Sequence, residues 1–186
     1  MTNIRLHSIE QYLDVASKNL YAMFHKREPQ EKRMQRIHVS SRDSARTPVQ
    51  WSDAPNAGFS TAEPWFYVNQ NYTEVNVAAQ EDDPDSILNF YRRALSLRKS
   101  SDTLLFGDYR EYYPRSAKLY MYERTLKGER VLIVCSFWSF HTGYALPEGY
   151  TVERMELLLG NYPEPAVGAL RPYEAQVWRV DKEKQG

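Results

Sequence analysis

Two arginines four residues apart, Arg42 and Arg46, bracket a carboxylate at Asp43 within the irregular run 41–65, SRDSARTPVQWSDAPNAGFSTAEPW. A guanidinium holds several N–H donors in one rigid plane, so a partly buried Arg–Asp pair can fix a polar ligand group, a carboxylate or a set of hydroxyls, in one orientation. A salt bridge that only staples the loop fits the Arg42–Asp43 spacing equally well. Trp51 and Trp65 offer flat apolar faces for ligand stacking, although packing between loop and helix is the commoner use of such rings. Prolines at 48, 55 and 64 interrupt any regular ladder, and a segment this rich in aromatics is not a disordered linker. An ordered loop must therefore position these groups.

Other chemistries find little support. His7, His25, His38 and His141 stand far apart, with no ligand spacing around them, so no metal site is expected. Neither a glycine-rich phosphate loop nor a nucleophile elbow is present, no cofactor is implied, and no carboxylate pair is marked as catalytic. The acidic group Glu81, Asp82, Asp83 and Asp85 lacks the alternating oxygen ligands and glycine of a calcium loop; it suits the positive end of a helix instead.

Lysine plus arginine equals aspartate plus glutamate at 24 each in 186 residues, which gives no reason to expect a nucleic-acid or membrane partner. No apolar run approaches a membrane span, the N-terminus lacks a secretory core, and the single cysteine, Cys135, reads as a buried strand residue, so a cytoplasmic protein is expected. A hydrophobic share of 42% suffices for a core. The aromatic share of 13% suits sugar stacking but more often serves β-sheet cores.

The elements that must carry the loop follow from periodicity. Ser8 and Gln11 fit a capping box that opens a helix to about Lys26, with Ile9, Tyr12, Leu13, Ala16, Leu20, Met23 and Phe24 on one face. Pro29 suits the first position of a short helix through Arg36. Asp83 and Pro84 read as the start of a helix to about Ser100, striped by Ile87, Leu88, Tyr91, Ala94, Leu95 and Arg98. From Leu104 the period becomes two, predicting strands near 105–113, 117–125, 130–138, 142–146, 151–159 and 173–180, the pattern of an antiparallel sandwich. The N-terminal helices have apolar faces but no sheet of their own to cover.

The run RDSARTPVQWSDAPNAGFSTAEPW, followed by VNQNY and VNV, resembles the C-terminal part of α-glucosidases of the α-amylase superfamily, the oligo-1,6-glucosidase and dextran glucosidase group. Their pattern runs Arg-Asp-Asn-Ala-Arg-Thr-Pro-Met-Gln-Trp; this chain departs at Ser44 and Val49 and keeps both arginines. MTNIRLHSIEQYLD resembles the segment after the eighth barrel strand, DSILNFYRRALSLRKS the last barrel-associated helix, and LLLGNYP with LRPYEAQVW the closing strands.

The resemblance implies an α+β fragment: the terminal helices and ordered loop of a (β/α)8 barrel at 1–103, then a C-terminal antiparallel β-sandwich at 104–186. It implies a retaining hydrolase of non-reducing-end α-1,6- or α-1,4-linked glucose whose aspartate nucleophile, glutamate acid/base and second aspartate lie upstream, so this chain alone is expected to be inactive. Arg42 matches an arginine that hydrogen-bonds the terminal glucose and pairs with an aspartate of an early barrel loop, also expected upstream. Asp43 and Arg46 match positions that support the loop. The implied partners are an oligosaccharide and the rest of the barrel, and orphaned apolar faces are expected to drive self-association. The alternative is a free-standing carbohydrate-binding or interaction module built on the sandwich.

Overall fold

The computed structural model describes residues 2–180. They form two compact units, residues 2–84 and 85–180, each taken by itself below.

The first unit holds three helices, α1 (Val15–Met23), α2 (Gln30–Ser40) and α3 (Val77–Glu81), separated by short 3-10 turns at Ile9–Gln11, Arg42–Ala45, Pro55–Gly58 and Gln70–Thr73. Its core is Ile4, Leu6, Tyr12, Met34, Ile37 and Phe66. Tyr12 is fully enclosed, and its hydroxyl accepts the Leu6 N–H at 3.3 Å and donates to the Ile4 carbonyl at 3.4 Å, which draws the N-terminal arm onto the core.

The long helix expected from Ser8 is interrupted. Gln11 Oε1 accepts the His7 and Ser8 N–H groups at 2.9 and 3.1 Å, but the turn they open ends at Gln11, and the chain is extended at Tyr12 and again at Asp14. The physical reason lies at Leu13 and Asp14, whose N–H groups are taken by a distant carboxylate, Asp43. Helix α1 then restarts with Asp14 as its N-cap. Of the expected stripe Tyr12 alone is buried, while Leu13 and Met23 are exposed. Pro29 is the N-cap of α2, one position ahead of its expected place, and the helix runs on to Ser40.

The second unit contains α4 (Ile87–Ser100), α5 (Asp102–Phe106) and strands β1 (Asp108–Tyr112), β2 (Leu119–Leu126), β3 (Glu129–Ser136), β4 (Thr142–Gly143), β5 (Met155–Gly160), β6 (Ala169–Leu170) and β7 (Ala175–Val180). Helix α4 starts three residues after Pro84 because Ser86, not Asp83, accepts the capping N–H, from Asn89 at 3.2 Å. The expected first strand begins late: residues 102–106 form α5, capped by Ser101.

Five strands make one antiparallel sheet in the order β1-β2-β3-β7-β5; β4 and β6 form a separate two-stranded ribbon. Lys127 and Gly128, both at positive φ, make the tight turn that joins β2 to β3 with Leu126 opposite Glu129. Strand β3 lies in the middle and is buried on both faces, which explains its unbroken apolar run. Leu132 and Val134 face a cluster with Met121, Trp178, Tyr144, Tyr150 and Leu170. Val131 and Ile133 face Leu104, with Leu97, Leu158 and Val177 around them. The sheet is therefore covered by the ribbon and its loops on one side and by helical residues on the other. Cys135 on β3 is largely enclosed, and burial pushes its thiol up to about 11.

No helix among the described residues is long and apolar enough to cross a membrane.

Candidate functional site: an arginine edge held by a buried carboxylate

The loop arginines are sorted by two buried carboxylates. Asp43 has no solvent exposure. Its Oδ2 accepts the Leu13 and Asp14 N–H groups at 2.7 and 3.0 Å, and its Oδ1 accepts Arg46 Nη1 at 2.7 Å. Asp43 thus joins the N-terminal arm to the loop.

Arg42 does not pair with its neighbour Asp43. Its Nε and Nη2 both donate to Asp14 Oδ1, at 3.2 and 2.9 Å. Within this chain the carboxylate that Arg42 meets is Asp14, distinct from the aspartate of an early barrel loop expected upstream. Asp14 was hidden inside the helix read from Ser8; the signal that marks it is the N-cap spacing Asp-x-x-Ser, since Asp14 Oδ2 accepts both the N–H and the hydroxyl of Ser17, at 3.3 and 2.8 Å.

The electrostatics fit an anchor. Burial alone would raise the Asp14 carboxyl, but the Ser17 hydrogen bond and the Arg42 guanidinium outweigh it and hold the group down to about 2. At neutral pH it is a fixed negative charge, unsuited to general-acid work. Asp14 is 2% exposed in its side chain and Arg42 69%. The guanidinium is therefore gripped along one edge while Nη1 carries no protein partner among the described residues. Such a group can read hydroxyl or carboxylate oxygens but supplies no nucleophile.

The rest of the loop is rigid for identifiable reasons. Asn56 and Ala57 adopt left-handed φ of 54° and 59°, followed by Gly58 at 65°. Asn56 Nδ2 donates to the carbonyls of Ser60 and Ala62, both at 3.1 Å, and the Ala57 carbonyl accepts the N–H groups of Trp51 and Ser52 at 2.8 and 3.1 Å. A side chain at Gly58 would meet Ser52 Oγ at 2.5 Å. Strain of this kind persists only where surrounding contacts over-determine it. The Trp51 backbone is held through both its N–H and its carbonyl, while the Trp51 and Trp65 rings are 52% and 71% exposed.

Two concavities open in the same unit. One of about 740 Å³ is bordered by Arg5, His7, His38 and Asn71; another of about 450 Å³ by Glu10, Glu63, Trp65 and Tyr67. Arg42 lines neither. No cluster of three metal-ligating side chains occurs among the described residues.

Relatives match nearly the whole chain. Residues 4–107 match the family model "Alpha amylase, catalytic domain". The chain is 37% identical to an oligo-1,6-glucosidase of Bacillus cereus over 97% of this chain and 33% of that protein. An oligo-1,6-glucosidase of Halalkalibacterium halodurans is 39% identical over 96% of this chain and 33% of that protein. The crystal structure of Bacillus licheniformis trehalose-6-phosphate hydrolase superposes with a TM-score of 0.86 at 32% identity, covering 98% of this chain and 34% of that one. The chain thus spans about a third of the length of the curated relatives it matches. With more than half of its residues inside the catalytic-domain match, the chain belongs to the α-amylase family.

Proposed function

We propose that this chain forms one wall of the substrate pocket in a retaining α-glucosidase that releases glucose from the non-reducing ends of short α-1,6- or α-1,4-linked oligosaccharides. Arg42 carries the proposal. Its guanidinium, fixed along one edge by buried Asp14, offers donors in a set plane, which suits the closely spaced hydroxyls at a sugar's closed end. Asp43 and Arg46 hold the loop that presents it.

In this reading the nucleophile, the acid/base and the second aspartate come from barrel strands preceding this segment. Residues 1–103 are the last part of that barrel, and 104–186 form its C-terminal β-sandwich domain. The enzyme works in the cytoplasm and needs no cofactor. Arg42 then binds the terminal glucose in ground and transition states, while the bond-breaking carboxylates belong to the rest of the barrel.

The chain alone should leave p-nitrophenyl α-D-glucopyranoside at the buffer rate. Turnover well above buffer by the purified chain, retained after Arg42→Ala, would refute both the incomplete pocket and the role given to Arg42.

A further inference from the structure

We propose that Tyr109 and Tyr120 form a site of oxidative modification, at which a haem peroxidase using hydrogen peroxide joins the two rings and staples edge strand β1 to β2. This does not rest on the role given to Arg42.

Strand β1 is an edge of the five-stranded sheet and is paired on one side only, with β2. Tyr109 lies opposite Arg124, so it shares a face of the sheet with Tyr122 and Tyr120, the next two residues on that face of β2. Tyr122 links the three rings: its centroid is 5.3 Å from that of Tyr109 and 5.1 Å from that of Tyr120, with planes inclined by 36° and 42°. Tyr122 packs against the core of Leu104, Val131 and Ile133, while Tyr109 and Tyr120 are 48% and 38% exposed. The inner ring thus holds the outer two where an oxidant in solution reaches them.

The hydroxyls set the chemistry. Tyr109 donates its proton to Glu111 Oε2 at 3.1 Å, so in the 3.2 Å contact between the Tyr109 and Tyr120 hydroxyls Tyr120 is the donor. Water could satisfy each exposed phenol separately; instead the two form one line that ends on a carboxylate. The Tyr120 hydroxyl first, then burial and Glu111, push the Tyr109 phenol up from its ordinary value. It stays protonated at neutral pH and gives up its proton together with its electron. Glu111 is placed to take that proton.

Each phenol loses one electron and one proton. The two radicals join through a carbon–carbon bond between ring positions ortho to the hydroxyls, and the hydrogens on those carbons pass to the phenol oxygens. Hydrogen peroxide takes up both electrons and both protons and leaves as two waters, so the chain loses two hydrogens and keeps both hydroxyls. The bonding carbons are neighbours of the hydroxyl-bearing ones, and exposed side chains turn within nanoseconds, so rotation of the rings brings them together. A covalent link between paired strands restricts the unfolded chain as a disulfide does, and it fastens the sheet at its edge.

The test treats the full 186-residue chain, kept dilute, with a haem peroxidase and an equimolar amount of hydrogen peroxide. Dityrosine fluorescence should rise while the chain stays a monomer on a denaturing gel. Peptide mass spectrometry should place the link between Tyr109 and Tyr120, with the loss of two hydrogens, and the linked chain should melt several degrees higher. Tyr120→Phe should abolish the link, whereas Tyr91→Phe, which removes a ring 64% exposed, should leave its yield unchanged. Glu111→Gln should slow coupling roughly tenfold without lowering the melting temperature, and Glu111→Asp should restore part of the rate. The proposal is overturned if the links map chiefly to other tyrosines or form only between chains, if Tyr120→Phe fluoresces as strongly after oxidation, or if Glu111→Gln couples as fast as the unsubstituted chain.

Discussion

Arg42 and Asp14 meet across 28 positions of sequence, with Nη2 2.9 Å from Oδ1, and this contact sets both the start of helix α1 and the direction of the arginine. One carboxylate caps a helix through Ser17 and aims a guanidinium through its other oxygen. The neighbouring carboxylate, Asp43, holds the two backbone amides that place Asp14.

Acid should weaken the Arg42–Asp14 anchor in a defined window. The Asp14 pKa is lowered from 3.8 to about 2 in the folded chain, so its contribution is present above about pH 4 and is lost as pH falls through about 2. After allowance for the exposed arginine, that contribution is about 1–2 kcal/mol. Urea unfolding of the unsubstituted chain and Asp14→Asn should differ by this amount at pH 6 and converge near pH 2. A constant difference across the range would contradict the linkage.

Removing Asp43 should cost more than removing Arg42. Asp43→Ala leaves the Leu13 and Asp14 amides without their acceptor and removes the partner of the part-exposed Arg46, a loss of about 3 kcal/mol. Arg42→Ala removes a largely exposed side chain and should cost no more than about 1 kcal/mol. Denaturant midpoints of the two variants check the order; equal losses would show that the two carboxylate pairs do not divide their roles as described.

The left-handed turn gives a third expectation. Gly58→Ala adds a methyl 2.5 Å from Ser52 Oγ at φ +65° and should destabilise the first unit by about 1–3 kcal/mol. Ser52→Ala in the same chain should recover the steric part alone. Full recovery in the double variant would mean that the backbone conformation itself carries no cost.

Exposed apolar side chains predict association. Met23, Val39 and Trp65 are open in the first unit, and Ile87, Tyr91 and Leu95 form an exposed stripe along α4 in the second. Sedimentation should show mass rising with concentration and little affected by salt, as apolar contacts require. A compact monomer at all concentrations would contradict that reading.

The second unit was the more legible in sequence because its information is local. Alternation and turn residues placed β2, β3 and β7 within a few residues. The first unit resisted because its organising bonds are long-range. No periodicity reveals that Asp43 would take the amides of Leu13 and Asp14, so a helix was read through the point where the chain extends. Asp83 offered as good a cap as Ser86 by residue type, and only the position of the Asn89 N–H chose between them. Arg42 stood out by its motif, whereas its anchor did not, since Asp14 was one carboxylate among 24 acidic residues.

The central claim, that Arg42 reads the terminal glucose of an α-glucosidase pocket, is tested most directly in a chimera. The third of the Bacillus cereus oligo-1,6-glucosidase that this chain matches would be replaced by this chain with and without Arg42→Ala. Lost charged hydrogen bonds should lower kcat/KM for isomaltose by about 100-fold or more, with the melting temperature nearly unchanged. A chimera that cleaves isomaltose equally well with Arg42→Ala would contradict the account.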